Sequence, residues 1–396
     1  MPDNRKGNQM SRMPYNATRE HERLEDYPAI PGLHNPEAPG PYGPEPHYWR
    51  PISPKENMKL LLLEGKKPWY IPMTGWFQCD VLMFRPRQHP DNLANLQIYD
   101  GGPLFDKASK PNPYPGWFDL PYVYEPKAKG CMVKPGFTAL DDMSEWRDVL
   151  TMPDLDDMDW DEIYEMNKDY LQTDKVVELG IQFGLWERLM NLMGVTDAAM
   201  ALLDEDQEEG IVDFLDTLSD VYCDYIRRMK AILPIDMVFF HDDWGTSTGP
   251  FFSFDTCMKF FVPPMRKVVS CCHELGIMFE HHCCGKAQDL VPAMIETGSD
   301  YWFPQPLLND LDMLVKTYAD AHLTFSLSNP FLGTDMTDDE VRQIAKEWVD
   351  EYAPYGVLLA SNRDAELALP GYDPSKFPLF RDAVYEFSRI AYQDED

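Results

Sequence analysis

Short apolar runs alternate with longer amphipathic segments along most of the chain. Seven of these runs are expected to be strands, at residues 69–73, 176–183, 237–240, 277–279, 301–303, 323–327 and 357–360. The segments between them carry apolar residues at helical spacing, and such alternation predicts a parallel sheet covered by helices. The spacing fits a (β/α)8 TIM barrel with one strand unrecognised. A doubly wound sheet is the alternative, but no Gly-x-Gly-x-x-Gly follows any of the runs.

Two stretches depart from this alternation. Residues 1–52 are polar and then rich in proline, which predicts an extended N-terminal arm. Ser53, Pro54 and Glu56 form a helix-start signature, so the barrel domain is expected to span 53–396. The segment from about 78 to 174 is rich in proline, aspartate and aromatic residues. It is expected to be an insertion after the first strand.

The most concentrated candidate chemistry follows the run at 277–279, in the sequence His-His-Cys-Cys-Gly-Lys. Side chains alternate between the two faces of a strand, so Glu280, His282 and Cys284 share one face. His281 and Cys283 would then face the surrounding helices. Histidine and cysteine are zinc ligands, and two of them at the end of a barrel strand predict part of a zinc site, with Glu280 as a candidate third ligand. The alternative for His282 and Cys284 is a packed polar pair inside the barrel.

Polar and aromatic residues also follow the other predicted strands, where a barrel places its active site. Asp242 and Asp243 are candidates for acid/base work or substrate binding. Because they are adjacent, at most one faces the lumen, and a capping or ion-pair role is the alternative. Candidate substrate-binding residues, for which core packing is the alternative, are Trp76, Trp244, Trp302 and Asn329.

Composition excludes several classes of function. The formal net charge is −32, from 67 acidic and 35 basic residues, and would repel a nucleic acid backbone. Eight cysteines in 396 residues are too few for a disulfide framework. No apolar stretch approaches the ~20 residues of a membrane span, and the polar N-terminus has no signal-peptide core. We therefore expect a cytoplasmic protein with reduced thiols, and the sequence leaves open whether it is a homo-oligomer.

Several short motifs, taken in order, resemble those of the uroporphyrinogen decarboxylase superfamily. The resemblance covers roughly residues 53–390. Its motifs are Val-Lys-Pro-Gly at 133–136, Phe-Gly-Leu-Trp-Glu-Arg at 183–188, Asp-Asp-Trp-Gly-Thr at 242–246 and His-Cys-Cys-Gly-Lys at 282–286. The resemblance implies a TIM barrel with its active site at the carboxyl ends of the strands.

The branches of this superfamily differ in their chemistry. The decarboxylases carry arginines at the end of the first strand for a porphyrinogen's carboxylates, whereas residues 71–77 here contain no arginine. The zinc- and cobalamin-dependent methyltransferases carry His-x-Cys on a strand, matched by His282 and Cys284. The resemblance thus implies methyl transfer to a corrinoid. The chain contains no Asp-x-His-x-x-Gly, the usual corrinoid-binding motif, so the cobalamin is expected on a separate corrinoid protein.

The chain departs from the thiol-methylating members at the last strand. Those members carry a further cysteine there, but residues 360–366 contain none, which leaves Glu280, Asp243 and Glu366 as candidate third ligands. The missing cysteine favours a site that activates an ether oxygen rather than a thiol. The expected reaction is then O-demethylation of a methoxylated aromatic substrate. A methylated ammonium held by aromatic residues is a second donor class. The alternative functions are a tetrapyrrole decarboxylase and a non-catalytic, metal-free binding protein.

Overall fold

Eight parallel strands form the centre of the molecule. The computed structural model describes residues 12–28, 44–75, 79–84, 117–125, 130–361 and 369–393. The barrel strands are β1 (Met73–Gly75), β2 (Val81–Phe84), β5 (Val176–Ile181), β6 (Met237–His241), β7 (Met278–His282), β8 (Tyr301–Trp302), β9 (Thr324–Ser328) and β10 (Leu358–Ser361). They pair in the order β1-β10-β9-β8-β7-β6-β5-β2. With helices outside the sheet, this is the predicted (β/α)8 TIM barrel, and the fold class is confirmed.

The two ends of this strand order approach each other next to β1. The Asp80 N–H donates to the Met73 carbonyl at 3.0 Å, and the Met73 N–H donates to the Asp80 carboxylate at 2.9 Å. These two bonds tie the start of β1 to the residue that precedes β2. The barrel is therefore nearly closed at this seam.

The strand that the hydrophobic pattern did not identify is β2. It lies inside the 78–174 segment that was expected to be an insertion, and its four residues pair with Val176–Leu179 of β5. A run of four apolar residues within a proline-rich segment is too short to distinguish from a loop. The first strand also begins later than expected, at Met73, because Pro72 has no N–H to donate to the ladder.

Helices cover the outside of the barrel and begin at side-chain caps in several places. Ser53 forms the predicted capping box with Glu56, and Thr337 forms another with Glu340. The helices are Ala17–Glu20, Pro54–Leu62, Trp146–Val149, Trp160–Asn167, Leu185–Met193, Val195–Ala201, Glu208–Ile232, Phe254–Phe260, Val262–Glu274, Val291–Thr297, Leu311–Thr317, Asp338–Tyr352 and Phe377–Ala391. None of these helices combines the length and the apolar character that crossing a bilayer requires.

The described part of the segment between β2 and β5 packs over the long helix Glu208–Ile232. It includes an antiparallel hairpin of β3 (Tyr122–Glu125) and β4 (Gly130–Val133). Trp146 meets Phe214 edge to face at 5.4 Å, and Arg147 pairs with Asp213 at 2.7 Å. These contacts attach the segment to the barrel's outer layer.

The described part of the N-terminal arm contacts the end of the barrel where the strands begin. The Tyr27 hydroxyl donates to Asp174 at 2.7 Å, and Glu45 pairs with Lys175, which immediately precedes β5. Glu20 pairs with Arg389 of the last helix at 2.9 Å, and the Arg389 side chain is fully buried. The arm therefore joins the last helix to the N-terminal face of the barrel.

Candidate functional site

The neighbouring strands β6 and β7 each end in a histidine, and the two histidines are in register. His241 pairs with His282 in the parallel ladder, and their rings stack with centroids 4.8 Å apart. Each strand then continues with a metal-binding residue two positions later, Asp243 after His241 and Cys284 after His282. The carboxyl ends of two adjacent strands thus bring four potential ligands to one point.

These four side chains form a compact group. His241, Asp243, His282 and Cys284 each offer one ligand atom, and these atoms all lie within 4.8 Å of one another. His282 Nε2 lies 3.4 Å from Cys284 Sγ, and His241 Nε2 lies 3.9 Å from Asp243 Oδ1. The Cys284 N–H donates to Asp243 Oδ1 at 2.6 Å, which holds the carboxylate beside the thiol.

A carboxylate lies next to the Nδ1 atom of each histidine in the group. Glu187 Oε2 lies 2.9 Å from Nδ1 of His241, and Glu280 Oε1 lies 3.4 Å from Nδ1 of His282. Both imidazoles consequently present Nε2 to the group. Glu280, predicted as a ligand by strand alternation, shares a face with His282 but is not one of the four grouped residues. Its position next to the other ring nitrogen is typical of a residue that orients a ligand.

The electrostatic surroundings of the group favour a thiolate at Cys284. Burial alone would raise the pKa of this thiol, but the charge of His282 and hydrogen bonds from His241 and His282 lower it. Burial likewise opposes the charge on His241, yet Glu187 and Asp243 raise its pKa well above the usual value. Burial raises the pKa of Glu187 to about 8.

The donor set fits zinc. Two imidazole nitrogens, a thiolate and a carboxylate are all zinc ligands, and the sulfur makes the site a poor one for magnesium or calcium. Zinc bond lengths place tetrahedral ligand atoms about 3.3–3.8 Å apart. The separations of 3.4 and 3.9 Å within the group come close to this spacing.

The loops that follow β6 and β7 contact each other directly beyond the four residues. The Lys286 N–H donates to the Thr246 carbonyl at 2.7 Å. Gly285 has φ +81°, and a Cβ there would lie 2.4 Å from the Gly245 backbone. Only glycine allows this approach, so Gly245 and Gly285 fix the separation of the two loops.

The other residues predicted from the strand ends support the group from outside the lumen. Asp242 is fully buried, and its carboxylate accepts from Trp244 Nε1 at 2.9 Å and from the Glu187 N–H at 3.1 Å. Trp302 is also fully buried and donates to the Cys283 carbonyl at 3.1 Å. Asp242, Trp244 and Trp302 therefore lie in the core beside the site rather than on an open surface.

The remaining predicted residues are Asn329, Trp76 and Glu366. Asn329 donates through Nδ2 to the Pro330 carbonyl at 3.0 Å and to the Tyr372 hydroxyl at 3.3 Å, at the end of β9. Trp76 and Glu366 lie outside the described residues. Substrate binding by Trp76, Trp244, Trp302 and Asn329, and catalysis by Asp242 and Asp243, stay predictions.

The alternate residues of the motif face outward. His281 is fully buried against Trp244, with ring centroids 4.3 Å apart, and burial lowers its pKa to about 3. Cys283 Sγ accepts the Trp244 N–H at 3.2 Å. Both residues therefore pack between the strand and the outer layer.

The lumen beneath the group is lined by polar and aromatic side chains. The residues described there enclose a cavity of about 30 Å³, the size of a single water molecule. Its lining includes Glu178, Phe239, Glu280, His282 and Tyr301.

Sequence reasoning assigned no role to two residues of this site, His241 and Glu187. A signal for His241 was present, because His241-x-Asp243 repeats the spacing of His282-x-Cys284 on the adjacent strand. Glu187 lies on the helix after β5, and no local pattern connects it to β6. Its role depends on a tertiary contact.

Comparisons with known proteins identify the fold. No protein-family model and no curated protein matches the sequence. Among solved structures, a methyltransferase from Methanosarcina mazei is 16% identical with a TM-score of 0.51, covering 86% of this chain and 99% of its own. What the two share is the barrel. A B12-independent methionine synthase from Shewanella sp. W3-18-1 is 9% identical with a TM-score of 0.37, covering 62% of this chain and 70% of its own.

Proposed function

We propose that this protein is a zinc-dependent methyltransferase. It would transfer a methyl group from a methylated small molecule, in the first place a methoxylated aromatic compound, to the cobalamin of a separate corrinoid protein. The observation that carries the proposal is the group of His241, Asp243, His282 and Cys284, whose ligand atoms lie within 4.8 Å of one another. The group stands at the carboxyl ends of β6 and β7, where barrels of this kind carry out their chemistry.

The ligand roles follow from the contacts of each residue. His241, His282 and Cys284 would hold the metal, since both imidazoles direct Nε2 to the group and the pKa of the thiol is lowered. Asp243 is held by the Cys284 N–H and would lie beside the position left for substrate. Three protein ligands and one open position are typical of catalytic zinc.

Within this proposal the protein supplies alignment and a suitable electrostatic environment. When bound, zinc would provide a Lewis acid for the substrate oxygen that loses its methyl group. The absence of a second thiolate among the four grouped residues favours an oxygen donor over a thiol. The His-x-Cys resemblance and the barrel shared with the Methanosarcina mazei methyltransferase support methyl transfer as the reaction class.

Metal analysis of the purified protein tests the first half of the proposal. We expect one zinc per chain in the native protein and its loss in Cys284→Ala. Cys283→Ala is the matched control, because Cys283 neighbours Cys284 in sequence but faces the outer layer. Zinc that survives Cys284→Ala, or that is lost equally in both variants, would contradict the ligand assignment.

A methyl-transfer assay tests the second half. Zinc-loaded protein is incubated with chemically reduced free cobalamin and methoxylated aromatic donors, and methylcobalamin is followed by its absorbance. Formation that requires Cys284 is the expected result. A zinc-loaded protein that transfers no methyl group from methoxylated aromatics or methylated ammonium compounds would instead support a non-catalytic binding protein.

A further inference from the structure

Glu187 contacts His241, one of the four grouped residues, and Asp242, which follows His241 at the end of β6. It is the third residue of the helix Leu185–Met193, and only 8% of it is exposed. Its carboxylate lies 2.9 Å from Nδ1 of His241, and its backbone N–H donates to Asp242 Oδ1 at 3.1 Å. A single residue therefore connects this helix to the strand end by two independent bonds.

The local sequence allows the helix to come this close. Gly184 precedes the helix, and a Cβ there would lie 2.4 Å from Cβ of Asp242. The second carboxylate oxygen of Asp242 is held by Trp244 Nε1 at 2.9 Å. The Asp242 carboxylate is thus held by Trp244 through one oxygen and by the Glu187 N–H through the other.

The contact determines which nitrogen of His241 is available to a metal. A neutral imidazole carries its proton on one nitrogen and a lone pair on the other, and a hydrogen bond at one nitrogen selects between the two forms. The Glu187 side-chain oxygen lies 2.9 Å from Nδ1 and, as a hydrogen-bond acceptor, favours the form with Nδ1–H. When a metal binds, Nε2, which faces Asp243 and Cys284, is then the nitrogen that gives up its proton and offers its lone pair.

We propose that Glu187 is a positioning residue for the metal site, which acts through His241 and touches neither metal nor substrate. The inference rests on the proposed function in one respect, that a metal binds at this group. The corresponding contact on the other histidine, between Glu280 and His282, is longer at 3.4 Å. Glu187 is therefore the carboxylate that contributes more to orienting a ligand.

Zinc affinity, measured by competition with a chromogenic chelator, tests this role. We expect Glu187→Ala to weaken zinc binding by about 10–100-fold, the usual effect of losing a residue that orients a ligand. Glu187→Gln should recover most of the affinity, because its side-chain oxygen still accepts from Nδ1–H. Glu209→Gln, which removes the same charge from an exposed position, should bind zinc like the native protein.

A second measurement separates positioning from a general structural role. In zinc-loaded protein labelled with ¹⁵N-histidine, the nitrogen shifts show which ring nitrogen of His241 binds the metal. We expect zinc on Nε2 in the native protein and in Glu187→Gln, and a mixed or Nδ1-bound population in Glu187→Ala. If Glu187→Ala does not fold, Glu187→Met takes its place in both measurements. Methionine keeps the side-chain volume but offers no oxygen to accept from Nδ1–H.

The possible failures are distinguishable. Native protein that binds no zinc contradicts the proposed function itself. Native protein that binds zinc, with Glu187→Ala binding equally tightly and still through Nε2, overturns the role of Glu187 and leaves the proposed function standing. Equal losses of affinity in Glu187→Ala and Glu187→Gln would also overturn it, because an oxygen acceptor would then make no difference.

Discussion

Cys284 contributes the thiol among the four grouped residues. Its sulfur lies between two imidazoles, 3.4 Å from Nε2 of His282 and in hydrogen-bond contact with His241. These contacts stabilise the thiolate over the thiol, although the residue is largely buried. A thiolate is the form of cysteine that binds a metal.

This arrangement predicts unusual reactivity of Cys284 in metal-free protein. A lowered pKa means more thiolate at neutral pH, so the pH midpoint of its alkylation by iodoacetamide should lie below the ordinary cysteine value of about 8.5. Mass spectrometry of peptides measures the rate at each cysteine.

Cys283 provides the internal control for that experiment. Burial raises its pKa well above the usual value, so it should stay unmodified while the protein is folded. Added zinc should protect Cys284. An alkylation midpoint at or above that of a free cysteine would show that the two imidazoles do not stabilise the thiolate.

Gly285 is a second single residue on which the structure of the site depends. Gly285→Ala places a Cβ in a left-handed backbone conformation and 2.4 Å from the backbone of Gly245. We expect a loss of about 1–3 kcal/mol in the free energy of unfolding, together with weaker zinc binding.

Urea unfolding measures the effect, and Gly249→Ala is the control. Gly249 belongs to the loop after β6, and a Cβ there would meet no atom within 4 Å. Its replacement should leave stability nearly unchanged. Equal stability of the two variants would contradict the close approach of the loops.

At the scale of elements, the sequence predicted most of the barrel because its strands are buried on both faces. Every residue of β5 is buried, and such strands appear in the sequence as continuous apolar runs. The pattern failed for β2, where four residues gave too little signal. Helix starts were predictable where a cap is local, as at Ser53.

The arrangement of site residues along one strand could be predicted from the sequence, whereas the contacts between different strands and helices could not. Alternation along β7 correctly placed Glu280, His282 and Cys284 on one face, with His281 and Cys283 on the other. The pairing of His241 with His282 depends on the register of two strands that are about forty residues apart in sequence. The contact of Glu187 with His241 depends on helix packing, which no local pattern encodes.

The arm and the last helix form another pairing of distant elements. Glu20 accepts from Arg389 through both carboxylate oxygens, at 2.9 and 3.1 Å, and from the Tyr385 hydroxyl at 2.5 Å. Glu20→Ala would leave the buried Arg389 guanidinium without this partner. We expect a loss of about 3–5 kcal/mol in the free energy of unfolding, measured by chemical denaturation.

The same pair predicts a dependence on pH. Burial opposes the charge on Glu20, but hydrogen bonds from Arg389 and Tyr385 lower its pKa below the usual value. The pair therefore contributes stability above the unfolded-state pKa of about 4.3, and that contribution is lost as pH falls through the lower folded-state pKa. Glu20→Gln should flatten this part of the acid unfolding curve, whereas an unchanged curve would contradict the assignment.

At the scale of the whole molecule, the contacts of the arm and the four grouped residues lie at opposite ends of the barrel. The arm contacts residues that precede strands, such as Asp174 and Lys175, whereas the metal group follows β6 and β7. Glu20→Ala should therefore lower stability without changing zinc affinity. This division between a stabilising face and a reactive face is usual in TIM barrels.

Zinc binding should be visible in the stability of the whole protein. A metal that binds only the folded chain stabilises it by about 2.7 kcal/mol at a concentration of 100 times Kd. We expect zinc to raise the thermal unfolding temperature of the native protein, and a chelator to reverse the rise. Cys284→Ser should show no such response; an equal rise in that variant would indicate binding elsewhere on this acidic surface.

The contact between Gly245 and Gly285 has a consequence for anyone who redesigns this site. The Lys286–Thr246 hydrogen bond and the glycine contact join the two loops just beyond the four grouped residues, so we expect a change of length in one loop to require a matching change in the other. The two loops therefore form one structural unit. Grafting them onto another barrel, or diversifying them in a library, should succeed only when residues 241–249 and 282–286 are exchanged together.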